Sequence, residues 1–155
     1  GAGGGVSTAA IQLAHAAGLE VFVTSRDADK RSKALKLGAN AALEIGARLP
    51  RKVDAVIESV GAATWSHSMK SVRPGGTIAI CGATTGDQPG AELTRLFFQG
   101  CTMGSREDFA RLLRFVEHAN LHPAIDSVVS GLDAAPEAFA KMIAGDVFGK
   151  IVIEL

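Results

Sequence analysis

Gly1-Ala2-Gly3-Gly4-Gly5-Val6-Ser7 (GAGGGVS) opens the sequence, and apolar residues at helical spacing follow at once: Val6, Ala10, Leu13, Ala14 and Ala17, with Gly18 as a stop. The motif matches G-x-x-G-x-x-S or a variant of G-x-G-x-x-V, and both have the same chemistry. Residues without side chains let the backbone approach an anion, and the first helical N–H groups and the helix dipole then face the negative charge. Gly4, Gly5 and Val6 hold the nearest donors. A flexible terminus would contain the same glycines. What favours a phosphate loop is its context: the helix begins immediately, and a strand, Glu20–Thr24 (EVFVT), ends about 20 residues on, where a ribose-reading residue belongs.

Outward from that loop, strand and helix alternate. A second helix is predicted from Ala28 to Leu37, stopped by Gly38. Val53–Ser59 (VDAVIES) and Thr77–Cys81 (TIAIC) are nearly continuous apolar runs, as in parallel strands covered on both faces. A helix from Thr64 to Val72, closed by a Pro74-Gly75-Gly76 turn, lies between them. The alternation predicts an α/β fold with right-handed crossovers. After a loop from Gly82 to Gly90, an apolar helix ending in Leu96-Phe97-Phe98 is expected. Ser105 and Asp108 form a capping box for a helix with Phe109, Leu112, Leu113 and Val116 on one face. A capped helix from Asp133 to Ala144 and a strand from Lys150 to Leu155 complete the pattern.

The 155 residues are 47% hydrophobic and 21% charged, which suits one globular domain with a sizeable core. Lys+Arg and Asp+Glu both number 16, so no basic excess points to nucleic acid. No apolar run approaches the ~20 residues of a membrane-spanning helix. Cys81 and Cys101 lack metal-binding spacing and are expected to be small, half-buried and reduced in a cytoplasmic protein, rather than a disulfide or redox pair.

The specificity of the loop is read at Thr24-Ser25-Arg26. An NAD site usually places Asp or Glu at the end of this strand, where its charge repels a 2′-phosphate. Ser25 removes that repulsion, Arg26 can pair with the phosphate, and Lys30 adds a second positive charge one turn into the helix. The alternative makes Asp27 the ribose acceptor, although Asp27 is as readily the N-cap of the second helix, and Arg26 a solvated charge. NADP(H) is therefore expected over NAD(H).

These residues, taken in order, carry a resemblance. GAGGGVSTAAIQLAHAAG, SRDADKRSKALKLGA, VDAVIESVGAATW, RPGGTIAICGATTG and the terminal FGKIVIEL resemble the medium-chain dehydrogenase/reductases, in the branch of the quinone oxidoreductases and zinc-type alcohol dehydrogenase-like proteins. The resemblance implies a Rossmann-type doubly wound parallel sheet over residues 1–121, with residues 122–155 returning to a catalytic domain. It implies that Gly4, Gly5 and Val6 form the pyrophosphate turn, and that Ser25, Arg26 and Lys30 form the adenosine-ribose site of NADPH-preferring members. Ser59, Val60 and Gly61 would lie beside the riboses, and Cys81, Gly82 and Ala83 against the nicotinamide. Cys101 and Met103 would hold the carboxamide through the main chain.

The departures from the family are also informative. Ser7 replaces the last small glycine of the usual motif. The apolar strand that precedes the loop in the family has no counterpart here, so the sheet is expected to be split and the sequence to be a piece of a longer or incompletely recorded chain. An intact mass near 16.0 kDa would overturn that expectation. Several residues of a strand are also expected to be missing at Gln99-Gly100. The N-terminal catalytic domain, with any zinc ligands and proton-relay residues, lies outside the sequence, and a homodimer formed by sheet extension is implied near Gly100.

Few residues suggest chemistry of their own. His15 is expected to be a solvated surface residue, His67 to pack or face solvent, and His118 and His122 to flank a helix end without enough ligands for zinc. Glu58, polar within an apolar run, is read as a strand-end carboxylate bonded to backbone. No Ser sits in a G-x-S-x-G elbow. The leading expectation is an oxidoreductase that moves hydride between NADP(H) and a carbonyl, quinone, activated alkene or alcohol, as a small-molecule substrate. A nucleotide-binding module without turnover is the alternative. A methyltransferase using S-adenosylmethionine ranks lowest, because it too prefers an acid where Ser25 stands.

Overall fold

The computed structural model describes residues 1–86 and 97–155. These form two compact units, residues 1–45 with 113–155, and residues 46–112. The helix expected to precede Phe97 lies in residues 87–96, outside the described residues.

In the first unit the glycine loop leads into α1 (Gly5–Ala16), followed by β1 (Phe22–Thr24), α2 (Ala28–Lys36) and β2 (Ala41–Leu43). β1 and β2 pair in parallel, with α2 as the crossover. Its later half contains β6 (Ile125–Ser130), a single 3₁₀ turn (Leu132–Ala134), α5 (Ala135–Ala144) and β7 (Lys150–Glu154), and β6 pairs β7 in parallel. The core consists of Ala2, Ile11, Ala34, Ala39 and Phe148, with Val21, Val23 and Leu37 packed against it.

The buried face of α1 is not the expected one. Val6 is half exposed, while Thr8 and Ile11, one turn apart, are buried. Thr8 tolerates burial because its Oγ1 donates to the carbonyls of Gly4 and Gly5, at 3.1 and 3.2 Å. Counting apolar residues missed a threonine that satisfies itself on its own helix.

The second unit has β3 (Val53–Glu58), α3 (Ala62–Ser71), β4 (Val72–Ile80) and β5 (Phe97–Gly100), all parallel in the order β3-β4-β5. Trp65, Val72 and Ile78 are its buried core, flanked by Val56, Met69 and Ile80. Along β3, Ile57 is exposed and Glu58 buried, so coverage of both faces is not what this strand shows within its unit. Pro74-Gly75-Gly76 lies inside β4, where the pairing jumps from Val53–Val72 to Ala55–Thr77. Proline, which lacks an N–H, falls in that interruption of the ladder.

Phe97 and Phe98 correct the expected helix end. Both lie in β5, opposite Thr77 and Ile78, and Gln99 and Gly100 complete the strand. Phe98 stacks on Trp65, with centroids 5.5 Å apart and ring planes at 19°. A short apolar run fits either a helix end or a strand, and this aromatic contact across the unit favours the strand.

α4 (Arg106–His118) opens on the expected capping box: the Ser105 N–H and Oγ donate to Asp108 Oδ2, and the Asp108 N–H donates to Ser105 Oγ. α5, by contrast, has no side-chain cap at Asp133. It grows out of the 3₁₀ turn, with Pro136 in its first turn. β2 and β6 were not expected from the sequence. The chain thus folds as α/β with helices joining parallel strands, and its sheet is split as expected, with β1-β2 and β3-β4-β5 forming separate sheets.

Candidate functional site

The predicted site residues fall into two groups, one in each unit. In the first unit the phosphate loop lies against the end of β1, because the Ala2 N–H donates to the Thr24 carbonyl at 2.9 Å. Gly4 is the N-cap of α1 and supplies no side-chain cap, so the first N–H groups of the helix, at Gly5 and Val6, have no partner within the helix. The first turn contains no acid. The positive end of α1 is therefore not neutralised by its own turn.

Two lysines approach this loop. The Lys30 stem crosses Gly3, where an added Cβ would lie 2.9 Å from its Cδ, and its ammonium donates to the Gly145 carbonyl. Lys150, at the start of β7, lies across Gly5. A Cβ there would collide with its Nζ and approach its Cε to 2.8 Å. Lys150 was not anticipated as a site residue, and it arrives from the far end of the sequence.

At the end of β1, Ser25 is buried, its N–H donates to the Leu43 carbonyl, and its Oγ accepts from the Asp27 N–H at 3.2 Å. Asp27 is the N-cap of α2: Oδ1 accepts from the Asp29 and Lys30 N–H groups at 2.8 and 3.0 Å. The Lys30 N–H is the main cause of its lowered pKa. Arg31, missed in the sequence, clamps the turn by donating to the carbonyls of Ser25 and Arg26, and it also pairs with Glu44. Arg26 is exposed, and its guanidinium has no partner among the described residues.

In the second unit the ends of β3 and β4 meet. Gly61 has φ +96°, and an added Cβ would collide with the Gly86 carbonyl and come within 3.1 Å of Ala83 Cα. Only glycine fits this position, for conformation and for space. A Cβ on Gly82 would lie 2.9 Å from the Ser59 carbonyl. Thr85 ties the loops together: its N–H and Oγ1 both donate to the Val60 carbonyl at 2.8 Å, and its Oγ1 accepts from the Ala63 N–H. Ser59, Val60 and Gly61 are thus brought against Gly82 and Ala83. Cys101 and Met103 follow β5. Met103 is almost fully exposed with φ +59°, an uncommon conformation for a side-chain-bearing residue.

Glu58 organises this region. Its Oε1 accepts from the Val60 N–H (2.9 Å), the Gly61 N–H (3.2 Å) and Thr64 Oγ1 (2.9 Å), and its Oε2 accepts from Ser68 Oγ (2.5 Å). Burial pushes the Glu58 pKa up, but the hydrogen bonds from Ser68, Val60, Thr64 and Gly61 outweigh it and hold the carboxyl below the ordinary glutamate value. The carboxylate splints the turn and the start of α3, as read from the sequence, though with side-chain donors as well as backbone ones.

Both cysteines are exposed, not half-buried. His15 is exposed beside Gly38, and His67 Nε2 lies 3.4 Å from Ser71 Oγ. Among the described residues no three His, Cys, Asp or Glu side chains gather as a metal site, so the described residues do not fit a bound zinc ion. The loop, its uncompensated helix end and the unpartnered Arg26 do fit a nucleotide with several phosphates. No helix is long and apolar enough to cross a membrane among the described residues.

Comparisons with known proteins identify the family of the chain. The zinc-type alcohol dehydrogenase-like protein YogA of Leptosphaeria maculans is 31% identical over 100% of this chain and 49% of its own length. Among solved structures, an NAD-dependent alcohol dehydrogenase superposes with a TM-score of 0.84 at 31% identity, over 99% of this chain and 49% of that one. A thermostable alcohol dehydrogenase from Pyrobaculum aerophilum gives 0.83 at 27% identity, over 97% and 47%. The chain spans about half the length of each of these relatives. The family model for zinc-binding dehydrogenases matches residues 5–118. The chain therefore belongs to the zinc-binding dehydrogenases, a family of oxidoreductases, and corresponds to their cofactor-binding half.

Proposed function

We propose that this chain binds NADP(H) and presents its nicotinamide for hydride exchange with a carbonyl, quinone, activated alkene or alcohol. The observation that carries the preference for the 2′-phosphate is the end of β1. Ser25 is buried there, Asp27 is engaged as a helix cap, and the exposed Arg26 guanidinium has no partner among the described residues. The strand end itself carries no carboxylate to repel the phosphate, and Arg26 offers a cation to attract it. Gly4, Gly5 and Val6 would take the pyrophosphate, and Lys150 adds positive charge at Gly5. Ser59, Val60 and Gly61 would line the riboses. Gly82, Ala83 and the main chain at Cys101 and Met103 would orient the nicotinamide. Bound NADPH supplies the hydride.

Residues 1–121 are proposed as the nucleotide-binding domain and 122–155 as a segment serving the substrate-shaping remainder of a longer cytoplasmic enzyme. The edge of β5, unpaired among the described residues, supports homodimer formation by sheet extension. A nucleotide-binding module without turnover is the second reading. It is favoured by Glu58 being held as a structural carboxylate instead of facing a reactant.

Calorimetric titration tests the cofactor assignment. NADPH is expected to bind more tightly than NADH. Arg26→Ala should weaken NADPH about 10- to 100-fold, the worth of a charge-assisted pair, and leave NADH nearly unchanged. Equal binding of the two, or tighter NADH, would overturn it.

A further inference from the structure

We propose that Cys81 and Cys101 form a modification site, a cross-strand dithiol that closes reversibly to a disulfide when it meets a small-molecule disulfide such as oxidised glutathione. β4 and β5 pair in parallel up to Ile80 opposite Gly100. The ladder continues one step further, because the Cys101 N–H donates to the Ile80 carbonyl at 2.8 Å. Cys81 and Cys101 are therefore the next neighbours across the two strands. Paired strands lie about 4.8 Å apart, and disulfides bridge Cα separations of roughly 4.4–6.8 Å. The Cys81 N–H donates to the Glu58 carbonyl at 2.9 Å, so the backbone at Cys81 is fixed from the other side by β3.

Both thiols are exposed, which gives an oxidant access. In the reduced chain they point apart: Cys81 Sγ donates to the Glu58 carbonyl at 3.5 Å and Cys101 Sγ to the Gln99 carbonyl at 3.7 Å. These are weak bonds, and rotation about χ1 in exposed side chains is fast. Closure is a two-step exchange. The thiolate of one cysteine attacks oxidised glutathione, forming a mixed disulfide and releasing one glutathione thiolate. The second cysteine's thiolate then attacks the protein sulfur, releasing the other glutathione. Two protein thiols are oxidised and one glutathione disulfide is reduced to two thiols. The bond requires no bound nucleotide, so it stands or falls separately from the cofactor assignment.

The test is mass spectrometry of the purified protein equilibrated with glutathione buffers, quenched with acid and digested with trypsin. Cleavage at Arg95 separates the two cysteines, placing Cys81 in peptide 71–95 and Cys101 in peptide 96–106. The expected result is one linked pair of these peptides, lighter by two hydrogens than their sum and resolved by dithiothreitol. Cys81→Ser and Cys101→Ser should each instead retain a single glutathione. The linkage should be favoured at least about tenfold in the folded over the denatured chain, ~30 mV in potential. Two independent glutathione adducts, no reaction, a bond between two chains, or equal linkage in the denatured chain would each overturn the proposal.

Discussion

Replacing Glu58 should unlock the start of α3, and the size of the effect follows from its four donors. The side chain is 3% exposed, so water cannot readily replace a lost acceptor. Glu58→Ala leaves the Val60 and Gly61 N–H groups and the Thr64 and Ser68 hydroxyls without their acceptor. Each unsatisfied group costs about 1–3 kcal/mol, but the two hydroxyls can turn elsewhere and the costs do not add fully, so a loss of about 3–5 kcal/mol is expected. Glu58→Gln keeps one oxygen for the donors on Oε1 and turns an amide toward Ser68 Oγ, which can accept. The loss then reduces to exchanging charge-assisted for neutral bonds, about 1–2 kcal/mol. Urea unfolding followed by Trp65 fluorescence reads this directly, because Trp65 is the only tryptophan, is buried, and sits in α3. The pH dependence has a definite sign. The folded pKa is held below the unfolded one, so the carboxylate's contribution is fully present above about pH 4.5 and is lost as pH falls through the folded value. The gap between wild type and Glu58→Gln should be constant near neutrality and close in acid. A gap that widens on acidification, or a Glu58→Ala loss below about 0.5 kcal/mol, would refute the reasoning.

Lys150→Met should act in opposite directions with and without nucleotide. A cation at the positive end of α1 is unfavourable, so the unliganded chain should gain about 0.3–1 kcal/mol, while NADPH and NADH should both bind several-fold more weakly. A loss of stability, or an effect on NADPH alone, would show that Lys150 does something else. At the other capped helix, Asp108 titrates at about 2, lowered first by the Ser105 hydroxyl, then by the Ser105 N–H and Arg111. Ser105→Ala should raise it toward 3.8 in a carboxyl-carbon NMR titration, and an unmoved titration would exclude the hydroxyl as the main cause. Because that pKa is depressed, the cap should hold at mildly acid pH and fail only as pH falls through about 2.

What the sequence revealed and what it hid separate along the distance over which residues interact. α1, α2, β3 and the Ser105–Asp108 box were legible because their signals lie within a few residues: periodicity, a glycine stop, a capping pair. The three-residue β2, Ala-Ala-Leu, has too little side chain to announce a strand, and its pairing with β1 supplies what its composition lacks. Phe97 and Phe98 could not be assigned locally, since the deciding contact is with Trp65. At the site, the glycines and Ser25-Arg26 were visible as a pattern. Arg31's hold on the Ser25 and Arg26 carbonyls, Thr85's bridge to Val60 and Lys150's approach to Gly5 depend on tertiary placement, and no spacing encodes them.

The first unit is assembled from two stretches separated by the whole of the second. Phe148 joins the core with Ala2, Ile11, Ala34 and Ala39, and the Gly149 N–H donates to the Gly3 carbonyl. During synthesis, therefore, the strands and helix of residues 46–112 are available to one another long before the glycine loop meets its last neighbours. The loop is made before the second unit and is completed after it. A nascent chain should present an unfinished anion site, its core still lacking Phe148, while residues 46–147 are being made.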